Sequence, residues 1–289
     1  MTDARNKNRI DVWPSYGAAN AAHEDGGKLL NRMTVWPTIA AAKAHKHHGG
    51  GGSSYTAKAV HFDGGAILIR NSLIATDTNN LSVAGCFANV DTSGGPAVLY
   101  VSDPDNTYDV YGAMRNDGIT GDQIDGAAMS PGSLSVTGGP TILNVGWHSF
   151  VASVEANNSS PQPAAIFIDG IDWSSTIEFN ADPVTFIMNG LKFAFGGDPT
   201  GSNVIGDFAD WRIDTRSWLV GGTLPSDTLA LFRDPVTGKP VDPAVATAAL
   251  GEPCILFSGD ATGFTTNQGT GGAFTLTGTL TNASTSPSD

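Results

Sequence analysis

The stretch Gly206-Asp-Phe-Ala-Asp-Trp-Arg-Ile213 decides the fold. Ala209, Trp211 and Ile213 alternate with Asp210 and Arg212, the period-two pattern of a strand with one face buried and one wet. No helical face collects those three apolar residues. The reading is therefore β, and the question becomes whether the rest of the chain supplies partner strands.

It does, on both sides. Upstream, Gly146-Trp-His-Ser-Phe-Val-Ala-Ser-Val154 puts His148, Phe150, Ala152 and Val154 on one face, which makes His148 a rim residue of a strand rather than a catalyst. Ala165-Ile-Phe-Ile168 follows, ending in Asp169-Gly170, a dipeptide suited to a tight hairpin turn. Further strands are predicted at 59–62, 66–69, 81–90, 97–101, 183–188 and 192–195, and downstream at 254–257. Their shortness and their Gly, Asn and Asp punctuation fit a sandwich and not a βαβ repeat. Two short helices are expected, at 225–232 and 242–251. In the second, Asp242 caps the start, Pro243 takes the first turn and Gly251 ends it.

Composition agrees. The 289 residues include 36 Gly and 16 Pro, with 40% apolar and only 15% charged side chains. The net charge is -13, from 28 acidic against 15 basic residues. The acids are nearly all Asp, which favours turns and caps over helix interiors. A field of that sign disfavours a phosphate backbone, so no nucleic-acid partner is expected. Trp147 and Trp211 are read as core. Cys86 and Cys254 lie in apolar runs and are read as buried free thiols, with a bridge between them as the alternative.

Residues 1–57 read differently. Asp11-Val-Trp-Pro-Ser15 and Thr34-Val-Trp-Pro-Thr38 are two similar pieces in which an aromatic precedes Pro, where the backbone is extended. A short Ala-rich helix opening at Pro37 and a Gly49–Gly52 joint complete a hinged arm for anchoring or oligomerisation, with Trp13, Pro14, Trp36 and Pro37 as its docking residues. Chance similarity is the alternative reading of the repeat. The charged start carries no signal-peptide pattern, and no run reaches about 18 apolar residues, so synthesis in the cytoplasm without membrane insertion is expected. The body is placed at 58–260. Residues 261–289 form a Gly/Thr-rich extension in which Phe274, Leu276 and Leu280 share a parity, and a loose tail ends the chain.

The Trp147-His148 strand, the Ile166-Phe-Ile-Asp-Gly170 hairpin and the Gly206–Ile213 strand resemble, in order and spacing, the laminin-G-like or concanavalin A-like jelly-roll superfamily. Ala59-Val-His-Phe-Asp-Gly64 resembles the strand that opens such domains. The resemblance implies an all-β jelly-roll sandwich whose relatives bind sugars or proteins, act as spacers or, in a glucanase branch, hydrolyse polysaccharides. That branch carries Glu-x-Asp-x-x-Glu on one strand; here Glu24, Glu155, Glu178 and Glu252 are dispersed, and no catalytic residue is assigned. The whole layout also resembles an accessory structural protein of a tailed bacteriophage. It implies a surface, head-fibre or tail-associated virion component, with other virion proteins and further copies of itself as partners. A free lectin module is the alternative.

Site candidates follow from chemistry. Tyr108, Tyr111 and Trp173 lie in turn-rich regions and can offer an aromatic platform to a host glycan. Ser102-Asp-Pro-Asp-Asn106 and Asn116-Asp-Gly-Ile-Thr-Gly-Asp122 hold Asp103, Asp105, Asp117 and Asp122, oxygen ligands of the kind calcium takes, although the same residues are ordinary turn formers. No other cofactor is expected. His45, His47 and His48 sit beside Lys43 and Lys46 and are read as a solvated hinge rather than a metal site.

Overall fold

The computed structural model describes residues 55–74, 78, 80–91, 99–102, 109–112, 115–116, 122–129, 132–136, 146–155, 163–172, 177–180, 192–197 and 204–289; at 91, 99–136 and 177–180 the backbone alone is described. Trp13, Pro14, Trp36 and Pro37 lie outside these residues.

Two antiparallel sheets face each other. The first has the order β11 (Ile171–Asp172), β10 (Ala164–Ile168), β9 (Trp147–Glu155), β3 (Asn80–Asp91), β14 (Ile205–Asp214), β1 (Val60–Asp63) and β17 (Thr281–Asn282), with β15 (Ile255–Phe257) also paired to β14. The second runs β12 (Ile177–Asn180), β8 (Gly132–Val136), β7 (Asp122–Met129), β5 (Asp109–Gly112), β4 (Leu99–Ser102), β13 (Lys192–Phe195), β2 (Ile67–Arg70) and β16 (Thr275–Thr277), with β6 (Arg115–Asn116) on β7. The chain passes back and forth between the sheets, so that strands distant in sequence become neighbours. This crossing, antiparallel order is the expected jelly-roll sandwich.

The core between the sheets is aromatic. Phe62, Phe87, Phe150, Phe193, Phe195, Phe208, Trp211, Phe257 and Phe264 are fully buried. Edge-to-face contacts tie the layers together, with ring centroids 5.6 Å apart for Phe62 and Phe195 and 5.2 Å for Phe195 and Trp211. Two glycines make room. A Cβ on Gly85 would stand 2.6 Å from the Trp211 ring, and one on Gly196, whose φ is +90°, would stand 2.2 Å from Phe62.

The deciding strand departs from simple alternation. Ala209 pairs with Cys86 but Arg212 with Ala84, so one extra residue is accommodated between them. Asp210 supplies the distortion, with φ 53°, a left-handed conformation that Asp tolerates better than most residues. Parity resets across this bulge. Phe208 and Trp211 both enter the core, whereas Ala209 joins Ala59 and Cys86 in a separate cluster on the outer face. The expected grouping of Ala209 with Trp211 and Ile213 fails for that reason. Trp147 also packs on the outer cluster, where its Nε1 donates to Thr285 Oγ1 at 3.0 Å, instead of entering the core.

Three short helices are described. They are α1 (Ser226–Leu229), α2 (Pro243–Leu250) and α3 (Ala261–Phe264). Asp242 caps α2 as expected, accepting from Ala244 N at 2.9 Å. With Trp218, Leu219, Leu224 and Phe232, the segment carrying α1 and α2 packs on Ala84, Val151 and Ala165, covering the outer face of the first sheet.

Residues 261–289 are part of the sandwich rather than an extension of it. Phe264 is fully buried, β16 pairs with β2, and β17 pairs with β1. The tail expected to be loose is bonded: Ala283 N donates to Ala59 O at 3.0 Å, and Ala57 N to Ser288 Oγ at 2.8 Å. Residues 261–288 carry no charged side chain, which suits this role, because their backbone groups can enter a sheet or turn without desolvating an ion.

Candidate functional site

The outer face of the second sheet carries an open groove. Leu68 of β2 and Phe193 and Phe195 of β13 point into the core. Ile67, Ile69 and Ala194 alternate with them and form a small cluster on the other side. Beside this cluster lies a groove of about 480 Å³. Ile69 floors it, Lys192, Arg70, Asn71 and Ser72 line one part, and Ala273, Thr275 and Thr277 of the β16 strand and its approach line the rest. Among the described residues, no carboxylate contributes to that lining.

Strand register extends the same face. Thr275 pairs with Ile69, Ile69 with Ala194, Ala194 with Tyr100, Tyr100 with Tyr111 and Tyr111 with Ala128, making one row across five strand pairings. Tyr111, a predicted glycan residue, therefore occupies a register position in line with the groove floor. Tyr108 and Trp173 lie outside the described residues, as do Asp103, Asp105 and Asp117. Asp122 opens β7 opposite Asn116.

The groove residues themselves were not foreseen. The available signal was Lys192-Phe-Ala-Phe195, in which a lysine takes the outer-face position of a strand whose alternate residues enter the core.

Elsewhere several polar side chains are engaged with one another. Asp207, Asp210 and Asp214 share a strand but not a site. Asp207 lies 2.7 Å from His61 Nδ1 and accepts from Asn89 Nδ2 at 2.8 Å. Asp214 accepts from Arg212 at 2.9 Å and from Arg216 Nε at 2.6 Å. The two arginines also donate to the carbonyls of Gly251, Leu250 and Glu252, closing the C-terminal end of α2. Asp169 accepts from Ser149 N at 2.9 Å, and its other oxygen is 2.7 Å from His148 Nδ1. Burial opposes its charge, yet these hydrogen bonds outweigh burial and hold it below the usual carboxylate range. With φ 52° at Asp169 and 77° at Gly170, this is the tight hairpin turn expected from the sequence.

Asp210 faces the layer between the first sheet and the segment above it. Its carboxylate accepts from Tyr55 Oη at 2.9 Å to each oxygen and from Ser258 Oγ at 2.6 Å. Burial pushes its pKa up to about 6, against the opposite pull of the Ser258 and Tyr55 hydrogen bonds, with Asp242 adding to the rise. A cavity of about 20 Å³ adjoins it, room for about one water molecule. Cys86 and Cys254 are buried free thiols, as read from the sequence. Burial pushes Cys254 up to about 11, which keeps it protonated at neutral pH.

No family model and no curated protein matches this sequence. Among solved structures, the chain is similar to the LG1-3 region of the laminin alpha2 chain, at 18% identity over 56% of this chain and 32% of that one, with a TM-score of 0.37. The mouse laminin alpha1 chain, domains LG4-5, gives 14%, 57%, 44% and 0.38 for the same quantities. A native heptameric SAP-like pentraxin from Limulus polyphemus gives 9%, 67%, 82% and 0.38. The chain spans less than half of either laminin chain. The jelly-roll class rests on the strand order described above.

Proposed function

We propose that this chain is a non-catalytic structural protein of a bacteriophage virion, a surface, head-fibre or tail-associated component that uses its jelly roll to hold a host-surface saccharide. The observation that carries the reading is the open groove of about 480 Å³ on the outer face of the second sheet. Its lining of Thr, Ser, Asn and Lys around an aliphatic floor suits a ligand with one apolar face and many hydroxyl groups.

The opposite side of the sandwich is the one we assign to attachment. Its outer face is covered by the segment carrying α1 and α2, and both Ala57 and Ser288 lie together there. The chain thus enters the fold on the side away from the groove. The Trp-Pro pieces of residues 1–57 and the resemblance of the layout to accessory phage proteins support placing that side against a particle.

An array of immobilised saccharides probed with the full chain tests the binding half. Thr275→Trp puts a bulky ring into the groove and should abolish binding without unfolding the sandwich. An array on which the wild type holds no saccharide rejects the reading. Mass spectrometry of purified particles tests the virion half, which falls if the chain is absent from them.

A further inference from the structure

We infer that the groove on the second sheet selects saccharides bearing carboxylate groups, with Lys192 as the specificity-determining contact and Arg70 as its electrostatic support. The inference rests on the groove being a saccharide site and adds the charge of its ligand.

The argument begins with the imbalance of charge. Acidic residues outnumber basic ones 28 to 15, so carboxylates are plentiful enough to answer the cations. Lys58 pairs with Asp260, and Arg212 and Arg216 both pair with Asp214. Lys192 and Arg70 differ from these three, as do Arg233 and Lys239, which do not line the groove. Among the described residues neither Lys192 nor Arg70 has a carboxylate within ion-pair distance, although both line the same groove. The remaining polar lining consists of Asn71, Ser72, Thr275 and Thr277, neutral groups rich in donors.

Position divides the labour between the two cations. Lys192 is half-buried on the outer face, on a strand whose next residue, Phe193, is anchored in the core. Its ammonium is a flexible point charge on a fixed stem, suited to meeting a ligand. Arg70 is held at the strand end, its Nη1 donating to Ala273 O at 2.7 Å, and its Nε is buried with no partner. That guanidinium is fixed beneath the loop that forms one wall, and contributes field rather than a mobile contact. A chain of net charge -13 repels anions at long range, so an anionic ligand is captured only where local cations overcome that field. This groove, with no acid among the described residues of its lining, meets that condition. A neutral sugar would leave the two charges unanswered.

Calorimetric titration of the full chain tests this with oligogalacturonate, oligomannuronate and hyaluronan oligosaccharides, each beside its carboxyl-reduced neutral counterpart. At least one acidic form should bind at least about tenfold more tightly than its reduced form, the scale of a charge-assisted contact. The preference should shrink with added salt and vanish in Lys192→Gln, while the thermal melt of that variant stays unchanged. Equal binding of acidic and reduced forms overturns the charge selection but leaves the groove a saccharide site. Binding that survives Thr275→Trp removes the groove from both readings, and failure of all six sugars overturns both.

Discussion

Tyr55 donates its hydroxyl to the carboxylate of Asp210 across 155 positions of sequence, at 2.9 Å from each oxygen. The bond pins the segment leading into the sandwich to the bulge that resets the parity of β14. Its acceptor titrates near neutrality, since burial pushes Asp210 up to about 6. In the unfolded chain an Asp titrates near ~3.9. The folded state therefore binds this proton more tightly, and the stabilising contribution of the protonated form is full below ~4 and lost as pH rises through about 6. The melting temperature of the wild type, minus that of Asp210→Asn, should fall between pH 5 and 7.5. The free-energy change across that window is about 1.4 kcal/mol, roughly half of the full linkage. Asn suits the left-handed backbone there, so a flat difference would mean that Asp210 does not titrate in this range.

Removing the donor gives a complementary result. Tyr55→Phe should cost about 1–2 kcal/mol above pH 6, where the acceptor is charged, and less at pH 5. Chemical denaturation at both pH values measures it, and an equal loss at each would break the assignment.

Gly85→Ala should destabilise by at least about 1–3 kcal/mol, because the new methyl would stand 2.6 Å from the Trp211 ring system. A denaturant midpoint unchanged from wild type would show that Trp211 does not pack over Gly85.

Asp214→Ala strips the carboxylate shared by Arg212 and Arg216, leaving Arg212, only 2% exposed, without its ion-pair partner. A loss of about 3–5 kcal/mol is expected in equilibrium unfolding. Arg216→Ala should cost far less, because Arg212 still answers Asp214. Equal losses from the two substitutions would contradict this ranking.

A chain ending at Asp260 should fail to unfold cooperatively, because it lacks Phe264 and the strands that flank β2 and β1. A sharp thermal transition in the shortened chain would restore residues 261–289 to the status of an appendage.

Periodicity made the sandwich legible. Phe150, Ala152 and Val154 share a buried face as read, and the caps of α2 fell where Asp242, Pro243 and Gly251 predicted. Alternation misplaced Ala209, because a bulge at one aspartate is a local backbone choice that a period-two pattern cannot register. The last 29 residues were misjudged because short Thr and Gly runs look like a tail, and their partners, β1 and β2, lie some 200 positions away. The groove was illegible for a related reason: Lys192, Asn71 and Thr275 meet only through strand order. Of the aromatic and acidic residues proposed as sites, Tyr111 gains a register position in the row that runs from the groove floor, three strand pairings away, and Asp122 a place at the start of β7.

The pairing of Val60 with Asn282 and His61 with Thr281 also sets how the molecule bears tension. The segment that leads into β1 and the one that leaves β17 emerge at the same end of this antiparallel pair. A pull applied between them would open it like a zipper, one hydrogen bond at a time, and free β17 first. A pull between the leading segment and a ligand in the groove crosses the aromatic core instead, loading many contacts at once. The same sandwich is thus weak along one axis and strong along the other, and the strong axis is the one the proposed role would load.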